Sequence, residues 1–256
     1  MDEPTEARSP RRAIYLLPNL FTTGGMFAGF YAIVAAINGQ PVTAAISVFA
    51  AAVLDGLDGR VARMTNTQSE FGVQYDSLAD LISFGLAPAL VLYTWSLAGL
   101  KAVSPMAGKV GWCAAFLYAA CAAIRLARFN VQVGVVDKRY FVGLASPAAA
   151  GLMMSYVWAM NEFEFAGRDL NVEWLSVAVA VTAGLLMVSR IRYWSFKGSG
   201  GKDRVHYWVL PAIVVVLVLL GIFQHTMLLL MGVAYAASGP LMWLYGRFGR
   251  KAPPAA

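Results

Sequence analysis

The sequence contains little charge for its length. Only 13% of its 256 residues are charged, whereas 59% are hydrophobic. A soluble globular domain carries about 25% charged residues, so this composition excludes an ordinary soluble protein. The apolar residues form stretches long enough to cross a hydrocarbon core of roughly 30 Å as helices. We therefore expect one integral-membrane domain of the all-α class.

Cysteine and histidine are also scarce, with two of each in the chain. Cys113 and Cys121 lie in one apolar stretch, and on a helix their positions would be about 12 Å apart. That distance excludes a disulfide between them. His206 and His225 stand alone at predicted helix ends. The sequence therefore lacks the Cys/His cluster that is typical of a zinc site.

The apolar stretches predict a polytopic membrane protein of about eight transmembrane helices. We expect residues 1–14 to be a disordered cytosolic leader, residues 15–247 to form the membrane domain, and residues 248–256 to be a cytosolic tail. Pro88 is expected to kink the third span. The predicted spans are residues 19–37, 42–64, 73–99, 107–130, 141–161, 172–190, 207–223 and 226–246.

The basic residues predict the orientation of these spans. With alternating spans, all but three of the 20 Lys and Arg residues fall on one side, and the exceptions are Lys101, Lys109 and Arg168. Because cytosolic loops are enriched in Lys and Arg, we expect both termini to be cytosolic. The basic residues form short clusters between spans instead of one continuous face, so we expect no nucleic-acid partner.

Four aspartates are concentrated where the second predicted span ends and the third begins. Asp55 and Asp58 are three positions apart, Asp76 and Asp80 are four apart, and the chain has only 14 acidic residues. Each pair therefore shares one face of a helix. A tight turn between antiparallel helices would bring the two faces together near the cytosolic interface.

This cluster predicts a metal-assisted reaction at a diphosphate. A carboxylate in the membrane costs at least ~2.5 kcal/mol, so the four need a cation. Oxygen ligands without His or Cys favour Mg²⁺ or Mn²⁺. Gly56, Gly59 and Gly72 leave room for a bulky ligand, and Arg63 offers a planar fork that suits phosphate. In such phosphoryl transfer, Asp80 is our candidate for the base that deprotonates the attacking hydroxyl.

A cation-coupled or proton-coupled transporter is the alternative that the residues alone leave open. Paired aspartates inside a membrane also occur in transporters. Transporters usually contain internal repeats and place their charges near the middle of the bilayer. We find no internal repeat, and Arg60 and Arg63 place the aspartates at a helix end. These features favour an enzyme.

Two further sets of polar residues are predicted on the same side. Asn19 and Thr22 share a helical face and could read a cytosine edge, or they could be a helix cap and a threonine bonded back to its own helix. Arg125, Arg128 and Lys197 could bind a phosphate or carboxylate of the substrates. They could equally orient the protein against anionic headgroups.

The spacing D-x-x-D-G-x-x-A-R, eight residues, then G-x-x-x-D-x-x-x-D resembles the signature of the CDP-alcohol phosphatidyltransferases at every defined position. The resemblance implies the fold of that family and an enzyme in which an alcohol displaces CMP from a CDP-linked lipid. It implies that Asp55, Asp58 and Asp76 bind Mg²⁺ or Mn²⁺ and that Asp80 is the base. As a member of the same acidic cluster, Asp80 is also expected to bind the metal. The residues expected at the CDP-lipid are Asn19, Thr22, Gly59, Arg63, Gly72 and Ser77.

Five further segments resemble the phosphatidylserine synthase branch of that family. They are Pro18–Thr22, Ser83–Ala89, Arg125–Asn130, Gly143–Pro147 and Ser195–Lys197. This likeness implies transfer of the phosphatidyl group from CDP-diacylglycerol to the hydroxyl of L-serine, and a glycerol 3-phosphate or inositol acceptor is the alternative. It implies a homodimer in the bacterial inner membrane whose site faces the cytosol. The residues expected to bind serine or phosphate are Arg125, Arg128, Asn130 and Lys197.

Overall fold

The computed structural model describes residues 12–65, 69–132, 140–165, 167, 169–194 and 222–248. Most of these residues are helical, which confirms the predicted all-α class. The helices are α1 (Arg12–Ile37), α2 (Pro41–Thr65), α3 (Glu70–Asp80), α4 (Ala87–Trp95), α5 (Leu100–Val103), α6 (Pro105–Gln132), α7 (Ser146–Glu162), α8 (Leu170–Val188) and α9 (Gln224–Phe248).

Within the described residues, 6 helical stretches are long and apolar enough to cross a membrane, so the protein is a multi-pass membrane protein. They match six of the predicted spans. The predicted span 207–223 lies almost wholly outside the described residues, and the count of eight therefore stays a prediction. The stretches are Pro18–Ile37, Pro41–Ala62, Glu70–Trp95, Pro105–Val131, Leu170–Val188 and Gln224–Tyr245.

The predicted start of the fifth span, residue 141, is wrong. Strand β1 (Tyr140–Val142) pairs there in antiparallel fashion with strand β2 (Arg192–Trp194). Gly143 follows with a φ of 83°, and a Cβ at this position would collide with the carbonyl oxygen of Met187. The chain therefore turns sharply before α7, which begins at Ser146 and is 17 residues long.

Helices α3 and α4 form one span, joined by a π-helical segment, Leu81–Leu86. An α-helical bond to the Phe84 carbonyl would have to come from the nitrogen of Pro88, which carries no hydrogen. The Tyr118 hydroxyl of α6 donates to that carbonyl at 2.9 Å. The kink expected at Pro88 stays a prediction, and what the structure shows is a π turn directly before this residue, a feature often found at functional sites.

Small residues allow the helices to approach closely. α1 packs against α2, α6 against α8, and α7 against α2 and α9. Ala32, Ala35, Ala44 and Ala45 are buried in α1 and α2. Gly184 of α8 lies so close to α6 that a Cβ there would be 3.3 Å from the Cα of Tyr118. Between helices in lipid, such close van der Waals packing replaces much of the hydrophobic driving force.

The end of the bundle where α2 ends and α3, α7 and β1 begin is called here the aspartate end. β2 ties α9 to it, because Tyr193 is buried and its hydroxyl donates to the Ala236 carbonyl at 3.1 Å. Burial, aided by the nearby Tyr235, raises the pKa of Tyr193 to about 12. The Tyr193 phenol therefore stays a neutral donor at ordinary pH.

Candidate active site

Four aspartates from two helices line one narrow cleft at the aspartate end. α2 carries Asp55 and Asp58, and α3 carries Asp76 and Asp80. α1 packs against both helices and supplies part of the wall of the cleft. The enclosed space is small, ≈ 190 Å³ with its open mouth included. The structure thus brings together all four residues that the sequence predicts as metal ligands.

Three of the four carboxylates face one another. One oxygen from each of Asp55, Asp76 and Asp80 lies within 4.8 Å of the other two. All three residues are half-buried. Because oxygen atoms on opposite sides of a Mg²⁺ ion are about 4 Å apart, this spacing fits three ligands of one hard cation. The oxygen-only set favours Mg²⁺, Mn²⁺ or Ca²⁺ over a metal that prefers nitrogen or sulfur.

Asp58 has a different environment from the other three aspartates. It is only 5% exposed, and its Oδ2 accepts a hydrogen bond from the Thr22 hydroxyl at 2.7 Å. The same hydroxyl lies 3.1 Å from the Pro18 carbonyl of its own helix. Thr22 is therefore bonded back to α1, as one of the two sequence interpretations expected, and it also holds Asp58 in place.

Burial and like charges both act against the ionised carboxylates in this cleft. Asp80 is repelled by Asp55, Asp76 and Asp58, and it is attracted by Arg125 of α6. Asp76 is repelled by Asp58 and Asp55. Like charges at such short range in a low-dielectric site favour the uptake of a cation. The cluster therefore has the spacing, the donor atoms and the charge that a divalent cation requires.

Arg125 is held in place near this cluster. Its Nη1 donates to the Ser146 hydroxyl at 2.7 Å, which joins the end of α6 to the first turn of α7. Its buried Nε has no hydrogen-bond partner among the described residues. An ionised donor of this kind is costly to leave unpaired. The arrangement suits an anionic group of a ligand at this corner.

Ser77 and Asn130 pair with each other. The Asn130 amide Nδ2 donates to the Ser77 hydroxyl at 2.9 Å, and this contact links α3 to the end of α6. The pair lies beside the aspartates, since Asp76 precedes Ser77 directly. Arg128 is half-buried on the same last turns of α6. The structure thus brings the predicted α6 residues to the aspartate end.

Two predicted glycines have different surroundings. A Cβ at Gly59 would meet no atom of the described residues within 4 Å, so packing among those residues does not explain a glycine there. Gly72 lies in the first turn of α3, where its amide donates to the Ser69 hydroxyl at 3.0 Å as a helix cap. A Cβ at Gly72 would lie 3.7 Å from the Asn19 Oδ1. Asn19 therefore lies next to the start of α3.

Two predicted site residues fall outside what the structure describes. Arg63 belongs to α2, but its side chain is not among those described. Lys197 lies in the segment 195–221, which is also outside the described residues. Their assignment to the CDP-lipid and to serine or phosphate stays a prediction.

The structure adds residues that the sequence analysis did not assign to the site. Ser83 and Phe84 of the π segment and Gly25 and Met26 of α1 line the cleft with the aspartates. The Ser83 hydroxyl donates to the Gly25 carbonyl at 3.1 Å. Ser83 and Phe84 belong to a segment that resembles the family, and this resemblance is the sequence feature that could have pointed to them. No local spacing links it to Gly25, because the two lie on different helices.

Comparison with known proteins gives a consistent result. Residues 15–188 match the family model described as CDP-alcohol phosphatidyltransferase. The chain is 39% identical over 240 residues to a Helicobacter pylori protein named CDP-diacylglycerol--serine O-phosphatidyltransferase, covering 92% of this chain and 94% of that protein.

Two further relatives carry the same name or a similar one. A Mycobacterium leprae protein with the same name is 39% identical over 188 residues, which is 71% of this chain and 59% of that protein. The archaetidylserine synthase of Methanothermobacter thermautotrophicus is 32% identical over 188 residues, covering 73% of this chain and 72% of that protein. The relatives thus include proteins named for a serine product in both bacteria and an archaeon.

Proposed function

The chain belongs to the CDP-alcohol phosphatidyltransferase family, and on that premise we propose that it is a phosphatidylserine synthase. The reaction moves the phosphatidyl group of CDP-diacylglycerol to the hydroxyl of L-serine and releases CMP. One observation carries the proposal: carboxylate oxygens of Asp55, Asp76 and Asp80, spaced as the family motif requires, lie within 4.8 Å of one another. The printed names of the relatives support serine as the acceptor.

Asp55, Asp76 and Asp80 are the residues that would hold Mg²⁺ or Mn²⁺, and Asp58, bonded to Thr22, completes the acidic wall. Bound there, a divalent cation would neutralise the charge on the diphosphate and stabilise the charge that develops on the departing CMP. This acidic wall would otherwise repel a diphosphate. The space beside Gly59, where a Cβ would meet no atom of the described part of the chain, is our proposed approach for the CDP-lipid. Arg63, Asn19, Gly72 and Ser77 are proposed as further residues of that approach.

Asp80 is proposed as the base. It is the aspartate nearest in sequence to the π segment, and Arg125 attracts it from α6. As the serine hydroxyl oxygen forms a bond to the phosphorus that carries diacylglycerol, its proton moves to the Asp80 carboxylate. The bond from that phosphorus to the CMP oxygen breaks, and CMP leaves with the bonding electron pair. Atoms and charge therefore balance in a single displacement.

Arg125 is proposed to bind the serine carboxylate. Ser146 fixes one of its nitrogens, and its Nε has no protein partner among the described residues. A guanidinium beside the base would hold the hydroxyl of serine near Asp80 through the carboxylate of the same molecule. Arg128, Asn130 and Lys197 are proposed to complete the binding of serine or phosphate.

The setting of the enzyme is also a proposal. The bias of Lys and Arg to one side supports cytosolic termini and a site that faces the cytosol. A homodimer in the bacterial inner membrane is proposed on the resemblance of the five segments named above to the phosphatidylserine synthase branch. The leader 1–14, the membrane domain 15–247 and the tail 248–256 are proposed on the composition of those segments.

The acceptor is tested with the purified chain in mixed micelles that contain CDP-diacylglycerol and Mn²⁺. Labelled serine is expected to appear in phosphatidylserine, with one CMP released for each lipid formed. Parallel reactions replace serine with glycerol 3-phosphate or inositol. Label incorporated with either of these acceptors and not with serine would reassign the branch of the family. Absence of CMP release with all three acceptors would refute the transferase proposal.

A further inference from the structure

The π segment Leu81–Leu86 joins the half of the third span that carries Asp76 and Asp80 to the half that is packed in the bundle. Each residue of an α-helix advances by about 100° around the axis, and a π turn adds roughly one residue to that turn. The residues of α3, which precede the segment, are therefore rotated about the helix axis relative to their positions in a regular α-helix. The direction in which Asp76 and Asp80 face depends on whether this turn is kept.

The π turn has contacts on two sides. On one side, Ser83 donates to the Gly25 carbonyl, and Gly29 of α1 is so close that a Cβ there would lie 2.7 Å from the Ser83 Cα. On the other side, a Cβ at Gly85 would lie 3.2 Å from the Ala122 Cβ of α6. The segment is thus packed between α1 and α6.

One hydrogen bond to this segment replaces a backbone bond that Pro88 cannot make. Pro88 cannot donate to the Phe84 carbonyl, and Tyr118, which is fully buried, does so at 2.9 Å. Tyr118, Ala122 and Arg125 are at positions i, i+4 and i+7 of α6, so they share one face. That face meets Phe84 through Tyr118 and Gly85 through Ala122, and Arg125 interacts with Asp80.

We propose that Tyr118 is a positioning residue for the acidic cluster: its hydroxyl, by binding the Phe84 carbonyl that Pro88 leaves without an α-helical donor, stabilises the π turn that orients Asp76 and Asp80. This inference rests on the proposed metal site. Tyr118 does not line the cleft, and it acts through the backbone of the span that carries two of the ligands.

The test is Tyr118→Phe in the full chain, purified in detergent and lipid. The matched control is Tyr156→Phe. Tyr156 is also buried, at 3% exposed, and its hydroxyl also contacts a backbone carbonyl, that of Val172 at 3.3 Å. Tyr156 belongs to α7 and bonds to α8 near the opposite end of the bundle. Both changes remove one buried hydroxyl and keep the ring.

Two quantities are measured for each variant: the dissociation constant of Mn²⁺, from the electron paramagnetic resonance signal of the free ion, and the Mn²⁺ concentration that gives half-maximal turnover. For Tyr118→Phe we expect both to rise roughly tenfold, because the Phe84 carbonyl loses the Tyr118 hydroxyl as a donor and the aspartates lose their common orientation. For Tyr156→Phe both stay at the wild-type values. Equal Mn²⁺ binding by the wild type and both variants would overturn the inference.

A second variant separates positioning from general damage. Pro88→Ala restores an amide hydrogen four residues after Phe84, which gives the carbonyl a second possible donor. In the Pro88→Ala background, Tyr118→Phe should change Mn²⁺ binding by less than about twofold. An undiminished effect there would contradict the proposed link. If Tyr118→Phe alone yields no folded protein, the double variant should fold, and its failure would also overturn the inference. Failure of the wild type to bind Mn²⁺ would instead refute the proposed metal site.

Discussion

The two ends of the bundle both contain buried polar groups, yet they satisfy them differently. At the opposite end, Ser96 donates to Ser176 at 2.9 Å, Ser176 donates to the Val172 carbonyl at 2.8 Å, and Tyr156 lies 3.1 Å from Ser176. These neutral groups satisfy one another. At the aspartate end, carboxylates of the same sign face one another.

The difference shows which polar cluster needs a ligand. A network of neutral hydroxyls and carbonyls can be complete within the protein and then serves to join helices. A set of three carboxylates within 4.8 Å offers acceptors and no donor when ionised. Such a set is stabilised by a cation, and this is the physical reason to place the chemistry at the aspartate end.

The largest effect is expected from Asp76→Asn or Asp80→Asn. Each change keeps the side-chain shape and removes one charge, so turnover should fall at least about a hundredfold while the protein stays folded. The matched control is Glu173→Gln at the opposite end, where the carboxylate is 2% exposed. It should leave turnover within about twofold of the wild type.

Product formation and monodispersity on size exclusion are measured for all three variants. Full turnover in both aspartate variants would contradict the placement of the chemistry at the aspartate end. A loss of turnover in Glu173→Gln, with the fold retained, would show that the opposite end takes part in the reaction.

An intermediate effect is expected from Gly59→Ala. Among the residues that the structure describes, none comes within 4 Å of the added methyl, so thermal stability should be kept or slightly raised, since alanine favours helix. The KM for CDP-diacylglycerol should rise roughly tenfold because the methyl occupies space proposed for the lipid. Gly151→Ala is the control: a Cβ there would make ordinary contact with the Phe49 ring at 3.6 Å, away from the cleft. An unchanged KM in Gly59→Ala would show that the substrate approaches elsewhere.

The smallest effect on turnover is expected from Ser96→Ala. It removes the bond to Ser176, which should lower the free energy of unfolding by about 0.6–1 kcal/mol without changing kcat. The matched control is Ser47→Ala, whose hydroxyl donates to the Thr43 carbonyl of its own helix. Thermal melts and initial rates distinguish the two. A reduced rate in Ser96→Ala at full stability would contradict a purely structural role for this network.

Features that depend on local sequence patterns could be predicted. Apolar length locates six described spans, and the spacing of the aspartates places each pair on one helical face. Hydropathy wrongly places residues 141–145 in a span, because the apolar Phe141 and Val142 belong to strand β1, whose partner β2 lies about fifty positions away in the chain. Long-range pairing of this kind has no signature in a local average.

The division of roles within the site could not be predicted for a similar reason. The spacing treats the four aspartates alike, whereas the structure gives Asp58 a bond to Thr22 and leaves the other three facing one another. That difference arises because α1 lies against α2 and α3. The partner of Phe84 was likewise hidden, because Tyr118 belongs to another helix.

The three facing carboxylates have a further consequence for motion. Asp55 is fixed to one arm of a helical hairpin, and Asp76 and Asp80 are fixed to the other. An ion bound by all three would hold the two arms together. Binding of the ion would therefore stabilise the hairpin against local opening. Amide hydrogens near the tip of the hairpin should then exchange with solvent more slowly as the cation concentration rises, even before either substrate is added.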